Sequence, residues 1–276
     1  MARVDFTRVR RPRVLLACVL LLTATIAIAQ AQQWRGRMYI RDGFPEQRGG
    51  FMFCRLLYSS VRREQGGSGW STDYPNADNN FMTRITQLTY APVSKWVDGE
   101  NGFLAVPPND PRMFQCPFLF ASDVGTASFD DQEAASLRRY LLKGGFLWVD
   151  DFWGEYAWLR WTDEIERVLP EYPVVPLNLD HPLFNVFYQV KEIPQIPSIR
   201  FWRNSRGGTS ERGAESAIPE MHAIFDERGR LLVLMSHDTD IADGWERETD
   251  NEDFFYAFTA RAYGVGINVA LWAMSH

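Results

Sequence analysis

Three stretches that could do chemistry each follow an apolar run. Ser122 to Thr126 follows PFLFAS, Asp150 to Gly154 follows FLWV, and His237 to Gly244 follows LLVLMS. The last of these is the densest. His237, Asp238, Asp240 and Asp243 put one imidazole and three carboxylates within seven residues. Oxygen ligands of this kind favour calcium or magnesium, and His237 tilts the preference toward zinc or manganese. The spacing matches no zinc motif and no EF-hand, so a solvated acidic loop is the expected reading and a divalent-cation site the alternative. The cofactor is thus unknown, a divalent cation being the one class this cluster suggests.

Asp150 and Asp151 are adjacent, so in a regular strand one would point to each face and only one could line a given pocket. They could equally cap the following helix. In Asp180-His181-Pro182, His181 has the imidazole needed for a general base, its unperturbed pKa being about 6.5; a turn cap is the simpler role. Asp73, Tyr74 and Asp78, in the loop after Trp70, mix an aromatic plane with hydrogen-bonding groups, as do Ser122, Asp123 and Trp153 at strand ends. This is equipment for holding a small polar or carbohydrate-like ligand, although Asx-turns shaping the loops would use the same residues.

The elements that must position these residues are legible from apolar periodicity. Gly50 to Ser60 (GFMFCRLLYSS) opens as a buried strand. Glu64 to Asn80 is rich in Gly, Ser, Asp and Asn and reads as a surface loop. Phe81, Ile85 and Leu88 have helical spacing over Phe81 to Thr89. The clearest unit begins at Pro117: a strand, then Ser128 with Asp131 three residues on as a capping box, a helix with Ala134, Leu137 and Leu141 on one face, Gly144-Gly145 as its stop, and a strand from Phe146 to Val149. Uninterrupted apolar strands around a short helix mark a parallel sheet covered on both faces. A further helix fits Tyr156 to Leu169. Met221 to Phe225 and Leu231 to Ser236 flank Asp226-Glu227-Arg228-Gly229 as an antiparallel hairpin, with Asn204 to Pro219 a solvated loop before it. Phe254 to Met274 is apolar but carries Arg261 near its middle, so a helix buried against the sheet is expected rather than a membrane span.

The first thirteen residues carry five arginines against Asp5, and Val14 to Ala29 is free of charge. This is the pattern of a secretory signal, with an A-x-A cleavage site ending at Ala29 or Ala31. Residues 1–31 are thus expected as a signal peptide and 32–276 as one soluble domain, periplasmic or secreted, touching a membrane only through the leader before cleavage. Leu15-Leu16-Ala17-Cys18 resembles a lipoprotein signal, but the apolar run continues to Ala27, so Cys18 is not expected as an anchor. Cys54 and Cys116 remain. An oxidising compartment permits their disulfide, but both sit in apolar runs, FMFCRLLY and FQCPFLFA, and buried free thiols on neighbouring strands are expected. Without five arginines and one aspartate of the leader, the chain keeps 24 basic and 34 acidic residues, a net charge near −10 that argues against nucleic acid as a partner. Aromatics make up 14% of the chain, ten of them tryptophan, enough for a large core and for sugar-stacking surfaces.

The segments GWSTDYPNAD (69 to 78), LRRYLLKGGFLWVDDFWG (137 to 154), LDHPLFNVFY (179 to 188) and AYGVGINVALWAMSH (262 to 276) together resemble a bacterial family known as domain of unknown function 4159. More loosely, helix, Gly-Gly, strand, His-Pro and a strand ending in His resemble trehalose-utilisation-type proteins. Both resemblances imply the class I glutamine-amidotransferase-like fold: a flavodoxin-like three-layer α/β/α sandwich with a mostly parallel sheet, to which the hairpin adds antiparallel strands near the C-terminus. Enzymes of that class hold a nucleophilic cysteine in a G-x-C-x-G turn after a core strand. Here the comparable strand end is Trp148-Val149-Asp150-Asp151, with no thiol. Fold alone does not transfer function. The expectation is a cell-envelope binding or scaffold module, a pseudoenzyme relative of the amidotransferases, for a small polar or carbohydrate-like ligand or an envelope protein partner. The alternative is a metal-assisted hydrolase or isomerase acting on a sugar derivative through Asp150 or Asp151, His181 and His237. Convergence of these side chains in one pocket separates the two.

Overall fold

The computed structural model describes residues 40, 41, 43–45 and 49–276. The expected leader lies outside the described residues. The chain divides into Met1–Gly43 and Phe44–His276, and everything below concerns the second unit.

In chain order it comprises β1 (Phe53–Leu56), β2 (Ser59–Ser60), α1 (Asn76–Leu88), β3 (Phe103–Val106), β4 (Leu119–Ala121), β5 (Ala127–Ser128), α2 (Asp131–Leu142), β6 (Leu147–Phe152), α3 (Gly154–Val168), β7 (Val174–Pro176), α4 (Ile199–Asn204), β8 (Glu220–Phe225), β9 (Leu231–His237), α5 (Asp243–Glu246) and α6 (Ala260–Ser275). Seven strands form one sheet in the order β3-β1-β4-β6-β9-β8-β7. β3, β1, β4, β6 and β9 run parallel, while β8 and β7 pair antiparallel at one end. β2 and β5 form a separate two-stranded ribbon. This is the flavodoxin-like sandwich with its C-terminal hairpin.

Strand alternation sorts the core onto the two faces. Phe53, Phe120, Trp148 and Leu234 point to one side, where α1, α5 and α6 cover them. Cys54, Leu119, Val149 and Val233 point to the other, under α2 and α3. With both faces buried, the parallel strands read as continuous apolar runs, which is why they were visible in the sequence.

Local readings needed three corrections. The cap of α2 is Asp130, whose carboxylate accepts from the backbone N–H groups of Gln132 and Glu133 while Glu133 reaches back to it. Ser128 instead lies in β5, because the neighbouring acid completes the same box two residues later. The helix expected at Phe81 starts earlier, at Asn76, running out of the polar loop. Most consequentially, Cys54 and Cys116 are joined in a disulfide, with Cα atoms 6.0 Å apart. Cys116 is not on a strand: it closes a short 3-10 turn, Pro111–Gln115, that brings it over Cys54. The C-terminal helix packs into the core and leaves Arg261 at the surface, paired with Glu192; among the described residues no helix is long and apolar enough to cross a membrane.

Candidate functional site

The carboxyl ends of β4, β6 and β9 share one edge of the parallel sheet, the place where open α/β sheets hold ligands. Each of these ends carries an aspartate with left-handed backbone: Asp123 (φ 54°), Asp151 (φ 54°) and Asp238 (φ 59°), joined by Asp73 (φ 64°) from the loop before α1. Such conformations cost energy in non-glycine residues and cluster where a side chain must be aimed. At Asp151 the cause is a bulge in β6, between Val149 and Phe152 in the register with β9. The bulge separates the adjacent acids. Asp150 stays under the sheet edge, fully buried, one oxygen accepting from the Ala242 N–H at 2.9 Å and the other without a hydrogen-bond partner among the described residues. Asp151 turns into a cavity, where the Trp153 indole N–H donates to it at 2.9 Å.

That cavity, about 440 Å³, is lined by eight acids and three arginines. Asp73, Asp123, Asp151 and the pair Asp240 and Asp243 come from four separate segments, and Glu64, Glu211 and Glu246 complete the acidic set. At its floor Asp73, Asp240 and Asp243, all buried, each offer a carboxylate oxygen within 4.8 Å of the others. Each is locally braced. The Ser122 hydroxyl donates to Asp73 at 3.1 Å, the Asp243 N–H to Asp240 at 2.8 Å, and the Ile199 N–H to Asp243 at 2.9 Å. The loop carrying Asp240 is tied down by its own N–H to the Ile196 carbonyl and by the Thr239 hydroxyl to the Pro194 carbonyl.

Burial first, and mutual repulsion second, hold Asp151, Asp240 and Asp243 well above the usual carboxylate range, with Asp73 prominent among the repelling charges. For Asp150 burial again dominates, with Asp73 adding repulsion. Burial lifts Asp123 to about 7, against the Gly69 N–H that favours its ionised form, and lifts Glu246 to about 7 with Asp73 again the repelling charge. A set of carboxylates in this state either binds protons or binds a cation.

The remaining sequence candidates divide. Tyr74 and Trp153 line the cavity. Asp78 does not: it is fully buried in an ion pair with Arg55. Ser122 is buried and serves Asp73. Of the expected metal set His237, Asp238, Asp240 and Asp243, only the last two meet, because the chain turns at left-handed Asp238 and sends the earlier pair elsewhere. Asp238 accepts from the Gly154 N–H at the start of α3 (2.7 Å), and burial lifts it to about 6. His237 lies beside the Trp158 and Phe152 rings, lines a different cavity with His222, and is held below its ordinary pKa by burial. His181 caps the turn Pro182–Asn185, its Nδ1 accepting from the Leu183 N–H, and sits against Phe225 and Trp272. The carboxylates thus converge and the histidines do not. Sequence reading missed Glu64, Glu211, Arg212 and Arg247, which stand in polar loops without pattern, and Glu246, which ends the four-residue α5. It also missed Arg55, which had a signal: a charge inside the apolar run FMFCRLLY needs a buried partner.

Fold and site together define an α/β protein of flavodoxin-like architecture whose strand-end cavity is lined by aspartates. The family described as "Domain of unknown function (DUF4159)" matches residues 53–274, and the chain belongs to it. No curated protein matches the chain.

Proposed function

We propose that this protein is an exported, cell-envelope binding module that holds a divalent cation at the ends of its parallel strands and, through it, a small polar or carbohydrate-like ligand. The observation that carries the reading is the triad Asp73, Asp240 and Asp243, buried with oxygens within 4.8 Å of one another. Three carboxylates concentrated so closely are destabilising until a cation joins them. Their all-oxygen character, with both histidines elsewhere, selects calcium, magnesium or manganese over zinc. The ligand would share the cation's open positions and meet Tyr74 and Trp153 on the cavity wall.

Export is supported by the arginine-rich start, the charge-free run Val14 to Ala29, and the Cys54–Cys116 disulfide, which suits an oxidising compartment. The finer placement, in the class I glutamine-amidotransferase-like superfamily, is supported by the strand order and by the left-handed bulge residue Asp151 near the end of β6, just before α3, which stands where a strained nucleophile turn would and carries an acid. Amidotransferase chemistry has no support: both thiols outside the leader are locked in the disulfide.

Thermal unfolding of the mature domain tests the reading. The protein is scanned with chelator, then with calcium, magnesium, manganese or zinc, then with a panel of sugars in the presence of the stabilising cation. A rise with a hard cation that is lost in both Asp73→Asn and Asp243→Asn supports it. Identical unfolding under all conditions overturns it.

A further inference from the structure

Asp73 reaches the triad from a loop with no regular structure, so something must hold that loop against the repulsion of Asp240 and Asp243. The structure assigns this task to Arg55: we propose that Arg55 is the positioning residue of the cation site. This rests on the cation reading above.

Arg55 sits in the middle of β1, fully buried, on the face shared with Phe53 and Phe120. Its guanidinium uses every edge. Nε donates to both oxygens of Asp78, at 3.0 and 3.1 Å, and Nη2 donates to the first of them as well. Nη1 donates to the Thr72 carbonyl at 2.8 Å and to the Trp70 carbonyl at 3.4 Å. The guanidinium carbon also lies 5.7 Å from the centre of the Tyr74 ring. The backbone just before Asp73 and, through the Asp78 carboxylate, the first turn of α1 are therefore fastened to one side chain of the central sheet. A planar fork of five donors can hold such divergent partners, and a lysine cannot.

A buried ion pair contributes little net stability compared with apolar replacements, so stability alone is a weak reason for this one. Ligand-orienting partners typically account for roughly 10–100-fold in metal affinity when removed.

Terbium is a hard trivalent ion that substitutes for calcium, and its luminescence, sensitised by the nearby Trp153, reports both affinity and the number of coordinated waters. The full mature chain is titrated as wild type, Asp73→Asn, Arg55→Lys and the double variant Arg55→Met/Asp78→Leu, which removes both charges so that neither is left buried and unpaired. Arg84→Met serves as control, since it removes a part-exposed ion pair with Glu248 on another part of α1. The expected result is a loss of roughly 10–100-fold in affinity for Arg55→Lys and the double variant, with a coordinated water gained as in Asp73→Asn, while Arg84→Met matches the wild type. Wild-type affinity and hydration in a folded double variant overturn the role of Arg55 alone. Absence of bound terbium in the wild type overturns the cation reading and this inference with it.

Discussion

Asp73, from the loop before α1, and Asp240, from the loop after β9, lie at opposite ends of the folded unit in sequence, yet their carboxylates meet with that of Asp243 at the floor of one cavity. The meeting depends on Ser122 at the end of β4, which donates to Asp73, and on the Asp243 N–H, which donates to Asp240. It concentrates negative charge where water has little access.

Removing one of these charges should stabilise the cation-free protein. Asp73→Asn and Asp243→Asn each keep an acceptor for the existing hydrogen bond but delete a repelling charge. Stability in chelator at pH 8 is expected to rise by on the order of 1 kcal/mol, the worth of about one pKa unit. Chemical denaturation measures it, and a loss of stability in both variants would contradict the charge-repulsion account.

The pH dependence follows from Asp123 and Glu246, both lifted to about 7 mainly by burial. A carboxyl with a raised folded pKa contributes stability that is present below its unfolded value near 4 and is lost as pH rises through 7. His222 and His237, held low by burial, act in the opposite direction below about 6.5. The difference between cation and chelator cancels the histidine part. That difference in Tm is expected to grow from pH 5 to pH 8, because Asp123 and Glu246 line the same cavity and, once ionised, add negative charge that favours the cation, while fewer protons compete for the triad's own oxygens. A difference independent of pH would place the cation elsewhere.

The Cys54–Cys116 bridge closes a loop with a sequence separation of 62 residues. By loop-closure entropy its removal should cost about 4 kcal/mol. Cys54→Ala/Cys116→Ala is expected to unfold at lower denaturant without acquiring or losing a glutaminase rate. Unchanged stability would show the bridge to be dispensable to the fold.

His181 and His237 occupy separate surroundings, one against Phe225 and Trp272, the other against Phe152 and Trp158. His181→Ala and His237→Ala are therefore expected to leave cation affinity unchanged by calorimetric titration. A large drop in either would return the histidines to the site.

The strands were legible because a two-sided parallel sheet writes unbroken apolar runs, and α3 because Trp158, Trp161, Ile165 and Val168 recur at helical spacing; the last three are buried and Trp158 packs half-buried against the same core. Asp150 and Asp151 were legible as strand-end acids of which only one could line a given pocket. Which of the two enters the cavity was not legible, since it depends on a bulge that no local pattern announces. The cluster from His237 to Asp243 was read as a single ligand set because proximity in sequence stood in for proximity in space. Left-handed backbone at Asp238 separates its two halves, and Asp73 supplies the missing third carboxylate from far away. The disulfide was obscured for a similar reason: Cys116 lies next to an apolar strand without belonging to it.

The stabilising effect of a cation has a stated size. Saturation at a hundredfold excess over Kd adds about 2.7 kcal/mol, which for a domain of this length raises Tm by roughly 5–10 °C. A shift of that order with calcium, magnesium or manganese, absent in Asp73→Asn, is expected.

The most direct measurement is a crystal structure of residues 32–276 soaked in manganese, with anomalous diffraction used to place the ion. The account predicts one strong anomalous peak in the strand-end cavity, ligated by Asp73, Asp240 and Asp243, at ligand distances of about 2.2 Å, between those of magnesium and calcium. A cavity with no anomalous density at saturating manganese, or a peak seated instead beside His222 and His237, would contradict it.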